Sequence, residues 1–164
     1  TQLADGLVLD GLLAELKRKL AHIAGSINSR HADPDWNPIR YINRSYRFSS
    51  LAGFYRVAAV GLVTPLCDGM NLVAKEFVAS QSPEDPGVLI LSRFAGAAEE
   101  LTRALLVNPY DKQEIIEALE RALAMPLAER RERWQHMFDH LRTHGIAQWQ
   151  RDFRDALARA DLPA

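Results

Sequence analysis

VGLVTPLCDGMNLVAKEF, residues Val60–Phe77, reads as a strand, a turn and the opening of a helix. The apolar run Val60-Gly61-Leu62-Val63-Thr64 stops at Pro65, and Leu66-Cys67-Asp68-Gly69-Met70 has the composition of a turn. A strand this apolar, with no wet face, suits the middle of a parallel sheet covered on both sides. Asn71 is a good N-cap, which leaves the N–H groups of Leu72, Val73 and Ala74 as the donors of the first helical turn. Such a corner sets unpaired donors and the positive end of a helix dipole where a phosphate can sit. Asp68 lies in the turn and Glu76 follows eight positions later. Two carboxylates flanking a diphosphate cradle suit a sugar nucleotide, because carboxylates accept hydrogen bonds from pairs of hydroxyls.

The flanking chain repeats the alternation. Thr1–Val8 reads as the tail of a strand and the loop after it. A helix then opens at Asp10 or Gly11, with Leu12, Leu13, Leu16, Leu20, Ile23 and Ile27 on one face to be buried. Asp33-Pro34-Asp35-Trp36-Asn37-Pro38 is a turn-rich break, and Ile39–Asn43 a short strand. Ser49 or Ser50 caps a helix over Leu51–Ala58 with Leu51, Phe54 and Tyr55 inward. After the central unit come an apolar strand at Val88–Leu91, a short helix over Ala95–Thr102 and a strand at Leu105–Val107. Asp111 and Glu114 form a capping-box-like start for a helix that buries Ile115, Ile116, Leu119 and Leu123 and ends near Met125. Pro126 opens the next helix, with Leu127, Trp134, Phe138 and Leu141 inward and Gly145 at its end. A last helix turns in Ile146, Trp149, Phe153 and Leu157. The expected fold class is α/β: a Rossmann-like parallel sheet flanked by helices, with a helical C-terminal extension over about residues 126–160.

Bulk properties exclude more than they assign. The chain has 164 residues, enough for one domain. Twenty basic against twenty-one acidic residues leave no global field for nucleic acid or an anionic membrane. No apolar run approaches the roughly 20 residues that span a bilayer. The single cysteine, Cys67, rules out an internal disulfide and fits a reducing cytoplasm. The N-terminus lacks a signal-peptide build and an initiating methionine, so the chain is expected to begin inside a longer one.

Four stretches together resemble the trehalose-6-phosphate synthase family. They are TPLCDGMNLVAKEFVASQ at 64–81, GVLILSRFAGAAEEL at 87–101, ALLVNPYD at 104–111 and RALAMPLAERRERW at 121–134. That family consists of retaining glucosyltransferases with two Rossmann-like domains (the GT-B architecture). The resemblance implies that residues 1–164 are part of the C-terminal, donor-binding half of such an enzyme, lacking the N-terminal domain and silent alone. The implied reaction is transfer of glucose from UDP-glucose to glucose 6-phosphate with retention, releasing UDP and needing no metal or other cofactor.

By this resemblance Asp68 binds donor glucose hydroxyls, aided by the backbone of Gly69, Met70 and Asn71. Residues Leu72, Val73, Ala74, Lys75 and Glu76 form the nucleotide segment, with Leu72 and Val73 N–H groups at the diphosphate and Glu76 on the ribose diol. Asp68 and Glu76 match the paired acids of retaining GT-B enzymes, and Tyr46 aligns with an aromatic beside the uracil. The chain also departs from the family. The arginine and lysine that clamp the donor phosphates belong to an earlier unit that this chain lacks. Cys67 stands where the family usually has arginine, and Thr1–Val8 supplies no arginine for the acceptor phosphate. Glycerol 3-phosphate or another phosphorylated acceptor, an inactive relative and a non-catalytic nucleotide-sugar module stay open, as do GDP and the oligomeric state.

Pattern alone makes Asp68 a loop cap, and Glu76 and Lys75 solvated helix residues; the whole motif favours the ligand roles of the two acids. Cys67 has no histidine base near it in sequence, so a nucleophile is not expected. His136, His140 and His144 share a helix face, and a wet face is favoured over a metal site. Arg130, Arg131 and Arg133, interleaved with Glu129 and Glu132, read as a solvated helix. In Phe94–Glu99 the glycine and alanines read as allowing close helix–sheet packing.

Overall fold

The computed structural model describes residues 2–159. The chain divides after Tyr46 into two compact units.

In the first unit a single helix, α1, runs over Gln2–His31. The strand tail expected at Thr1–Val8 is therefore helical from Gln2, and Thr1 lies outside the described residues. Gly6 and Gly11 each cost a helix about 1 kcal/mol, which the surrounding leucines and alanines outweigh as strong helix formers. The apolar stripe has the expected period but not the expected burial. Leu12, Leu13, Leu16, Leu20 and Ile23 are exposed, Ile27 is half-buried, and Ala24 is buried. Asp33 and Trp36 close the following turn with reciprocal backbone bonds of 2.9 and 3.1 Å. No strand forms at Ile39–Asn43. Instead the Asn28 amide takes both backbone groups of Ile39, donating to its oxygen at 2.8 Å and accepting from its nitrogen at 2.9 Å. A side chain thus does for Ile39 what a neighbouring strand would do.

The second unit holds a three-stranded parallel sheet in the order β1 (Val60–Val63), β2 (Val88–Ser92), β3 (Leu105–Val107). Around it lie α2 (Phe48–Val57), α3 (Leu72–Ser80), α4 (Lys112–Ala124) and α5 (Leu127–Thr143), and α6 (Ile146–Arg159) follows α5 in the chain. This is the α/β fold read from the sequence, with two local differences in the sheet region. β2, wholly buried, is the central strand, whereas β1 is an edge strand with Leu62 exposed. The helix expected over Ala95–Thr102 is only a 3-10 turn, Gly96–Ala98.

Strand pleating sends alternate residues of β2 to opposite faces. Leu89 and Leu91 join Phe77 and Val78 of α3 and Trp134 and Met137 of α5. Val88 and Ile90 join Leu105, Val107, the α4 residue Ala122 and the α4 C-cap Met125. The buried Trp134 indole donates from Nε1 to the Val78 carbonyl at 3.0 Å, which fixes α5 against α3.

Several helix faces are rotated or recapped from expectation. α2 starts behind Arg47 with no side-chain cap, so neither Ser49 nor Ser50 serves, and Phe54 is exposed. On α4, Ile116 and Leu123 are exposed, and on α5 Leu127 is exposed while Met137 is buried. Ile146, Trp149, Phe153 and Leu157 of α6 are all exposed. The arginines of α5 are structural ties rather than a solvated run. Arg130 binds the Pro86 carbonyl and Asp85, each at 2.7 Å; Arg131 binds the Glu84 carbonyl at 3.0 Å; and Arg133 binds the Arg103 carbonyl at 3.0 Å. Among the described residues no helix is long and apolar enough to cross a membrane.

Candidate functional site

The corner between β1 and α3 sits at the C-terminal end of the sheet, where open α/β sheets bind ligands. Pro65 cannot continue the strand ladder, and the chain turns through Asp68. Asp68 Oδ1 accepts from the N–H groups of Met70 at 3.1 Å and Asn71 at 3.0 Å, and Oδ2 accepts from Asn71 Nδ2 at 2.9 Å. These donors, the Met70 N–H first and the Asn71 side chain next, hold the carboxyl below the usual aspartate range. A carboxylate offers about four lone-pair positions, so Oδ2 keeps one for an incoming hydroxyl.

Asn71 has φ 69° and ψ 84°, the left-handed region, and is the non-glycine residue with positive φ among those described. Its Oδ1 accepts from the Ala74 N–H at 2.9 Å. The cap expected at Asn71 is therefore present, and it takes up one of the three donors expected to be free. Among the described residues the N–H groups of Gly69, Leu72 and Val73 have no acceptor, while those of Met70, Asn71 and Ala74 are engaged. The side chains of Met70, Leu72 and Val73 are exposed around them.

Glu76 is half-buried one turn further on, and its carboxylate has no hydrogen-bond partner among the described residues. It faces α2: burial first, and the Glu76 charge second, push the Tyr55 hydroxyl pKa up. Lys75 is not solvated; its Nζ pairs with Glu100 at 2.7 Å. Cys67 is a free, exposed thiol beside Asp68. Tyr46 lies in the first unit, where its hydroxyl accepts from Arg44 Nε at 2.8 Å and the Arg44 guanidinium stands 4.7 Å from its ring centre.

Sequence reasoning read the second corner, past the end of β2, as close helix–sheet packing and missed its contact with the Asp68 loop. Asp68 N–H donates to the Phe94 carbonyl at 3.2 Å, Gly96 N–H to the Asp68 carbonyl at 2.9 Å and Ala97 N–H to the Met70 carbonyl at 2.7 Å. The Phe94–Glu99 stretch therefore packs on the Asp68 loop as well as on the sheet. A glycine among alanines four positions past an apolar strand was the available signal.

The remaining clusters lie elsewhere. His140 and His144 stack with ring centres 4.0 Å apart, and His140 Nε2 lies 3.6 Å from Glu100. No group of three metal-ligating side chains occurs among the described residues. A cavity of about 500 Å³, lined by Arg56, Ala59, Gly87, Met125 and Arg130, lies at the opposite, N-terminal end of β1 and β2.

The sequence model of glycosyltransferase family 20 matches residues 10–159. The chain belongs to glycosyltransferase family 20. The trehalose-6-phosphate synthase of Sinorhizobium fredii is 56% identical over 147 residues, 89% of this chain and 32% of that protein. An E. coli structure bound with UDP-2-fluoro glucose superposes with a TM-score of 0.84 at 48% identity, over 92% of this chain and 33% of the other. The Burkholderia xenovorans alpha,alpha-trehalose-phosphate synthase (UDP-forming), solved with glucose-6-phosphate, gives a TM-score of 0.83 at 52% identity, over 88% and 32%. This family 20 chain thus spans about a third of the length of the relatives it matches.

Proposed function

We propose that the protein carrying this chain transfers glucose from UDP-glucose to glucose 6-phosphate with retention, and that residues 1–164 belong to the donor-binding half of its GT-B architecture. The observation that carries this reading is the β1–α3 corner. Three unengaged N–H groups, of Gly69, Leu72 and Val73, stand between the Asp68 carboxylate and Glu76 in a family 20 chain. During transfer the bond from the glucose anomeric carbon to the UDP oxygen breaks, a bond to the acceptor hydroxyl oxygen forms on the same face, and the hydroxyl proton passes to the departing UDP. The charge left on UDP meets the Leu72 and Val73 N–H groups and the α3 dipole, fixed donors that need no metal.

Asp68 holds donor glucose hydroxyls through the open position on Oδ2. Glu76 takes the ribose diol. Met70 and Asn71 N–H groups reach glucose only when Asp68 releases them. Lys75 and Ala74 shape α3 without touching ligand, because their polar groups are already engaged. Glucose 6-phosphate as acceptor rests on the Burkholderia xenovorans complex, and a cytoplasmic setting on the lone, free Cys67. A coupled assay for UDP released from UDP-glucose and glucose 6-phosphate tests the proposal. A full-length protein carrying this sequence is expected to turn over and residues 1–164 alone to be silent. Turnover by residues 1–164 alone, or none by the full-length protein, contradicts it.

A further inference from the structure

We infer that Gly96, on the second corner, is a positioning residue for the donor sugar, acting through the Asp68–Gly69–Met70 backbone. The inference rests on the donor-site reading above and goes beyond it to a residue that has no ligand role there.

In a trans peptide the C=O and the next N–H point in opposite directions. Gly96 N–H holds the Asp68 carbonyl at 2.9 Å, which turns the Gly69 N–H away from the second corner. Ala97 N–H holds the Met70 carbonyl at 2.7 Å, which in the same way aims the Asn71 N–H at Asp68 Oδ1, 3.0 Å away. One turn of backbone therefore orients the free Gly69 donor and the bonds that fix the Asp68 carboxylate.

Residue 96 must be glycine for this contact to exist. A Cβ there would stand 2.2 Å from the Gly69 carbonyl oxygen, 2.8 Å from its carbon and 3.3 Å from the Met70 Cα. All three are backbone atoms, so no flexible side chain can swing aside. The φ of Gly96 is not positive, so the requirement is space rather than conformation. On the other side nothing lies within 4 Å of where a Gly69 Cβ would stand, so a displaced Gly69–Met70 segment moves into open space, the side from which a sugar arrives. Ser92, wholly buried, steadies the second corner by accepting the Phe94 N–H on its Oγ at 3.1 Å. The start of α3 has a separate anchor, the Asn71 cap, so the diphosphate donors of Leu72 and Val73 are less exposed to this displacement.

The test uses the full-length protein, with calorimetry against UDP and UDP-glucose. Gly96→Ala is expected to weaken UDP-glucose by about tenfold or more and UDP by less than about threefold, since a shift near 1 Å at a positioned site is costly. Ser92→Ala is expected to give the same sugar-selective loss, smaller, and stands in if Gly96→Ala does not fold. Equal losses of both ligands in the folded variant, or no loss in either, overturn this inference alone. If Gly96→Ala does not fold, the absence of a sugar-selective loss in Ser92→Ala overturns it. Failure of the unsubstituted protein to bind UDP-glucose overturns the donor-site reading, and this inference with it.

Discussion

Asn71 Nδ2 donates to Asp68 Oδ2 at 2.9 Å while Asn71 Oδ1 accepts from the Ala74 N–H at 2.9 Å, so one amide ties a loop carboxylate to the start of α3. The tie requires a left-handed backbone at residue 71. Asparagine is among the few side chains that tolerate that region and can also cap a helix.

Substitution of Asn71 should therefore rank by mechanism. Asn71→Gly loses both side-chain bonds but suits φ 69°. Asn71→Ala loses the same bonds and adds the left-handed penalty, for a total of about 2–3 kcal/mol. Urea unfolding should show alanine less stable than glycine by about 1 kcal/mol or more. The reverse order would mean that the cap geometry does not hold in solution.

Asp68 gives a pH signature. Its folded pKa lies below the usual value of about 3.9. A depressed carboxyl contributes stability above its unfolded pKa and loses it as pH falls through the folded pKa. The stability gap between wild type and Asp68→Asn should stay level above about pH 5 and narrow below about pH 4. A gap that does not change with pH would remove the charge from the account.

Trp134→Phe leaves the indole's place at the Val78 carbonyl unfilled and should cost about 1–3 kcal/mol. Met137→Ala, a buried truncation in the same cluster, should cost about 2–5 kcal/mol. Denaturant midpoints measure both, and changes near zero would mean that α5 does not close this face of the sheet.

The strands, the Asn71 cap and the Asp111 cap were legible because each is written in neighbouring residues. Asp111 Oδ1 accepts from Gln113 and Glu114 N–H groups at 2.9 and 3.2 Å, as its position suggests. The reciprocal half of that capping box was not legible. Glu114 turns instead to the Asn108 N–H at 2.9 Å and to Arg93, which follows β2 directly and lies 21 residues earlier. The same holds for Arg130 and Arg131, whose partners are carbonyls of the 84–86 loop more than 40 residues away. Periodicity located the stripes of α1 and α6 but carried no information on whether anything covers them. At the candidate site, the spacing of Asp68, Asn71 and Glu76 was visible. The contact of Gly96 with Gly69 was not, since a glycine after a strand has many reasons to be there.

Cys67 offers a probe of occupancy, since its exposed thiol adjoins Asp68. Saturating UDP-glucose should slow its reaction with a thiol reagent several-fold in the full-length protein, and UDP should slow it less. Equal rates with and without UDP-glucose would put the sugar elsewhere.

The most direct measurement is calorimetry of UDP and UDP-glucose on Asp68→Asn and Glu76→Gln in the full-length protein. If Asp68 holds the sugar and Glu76 the ribose, Glu76→Gln weakens both ligands alike and Asp68→Asn weakens UDP-glucose only. Equal losses of both ligands in both variants would contradict those roles.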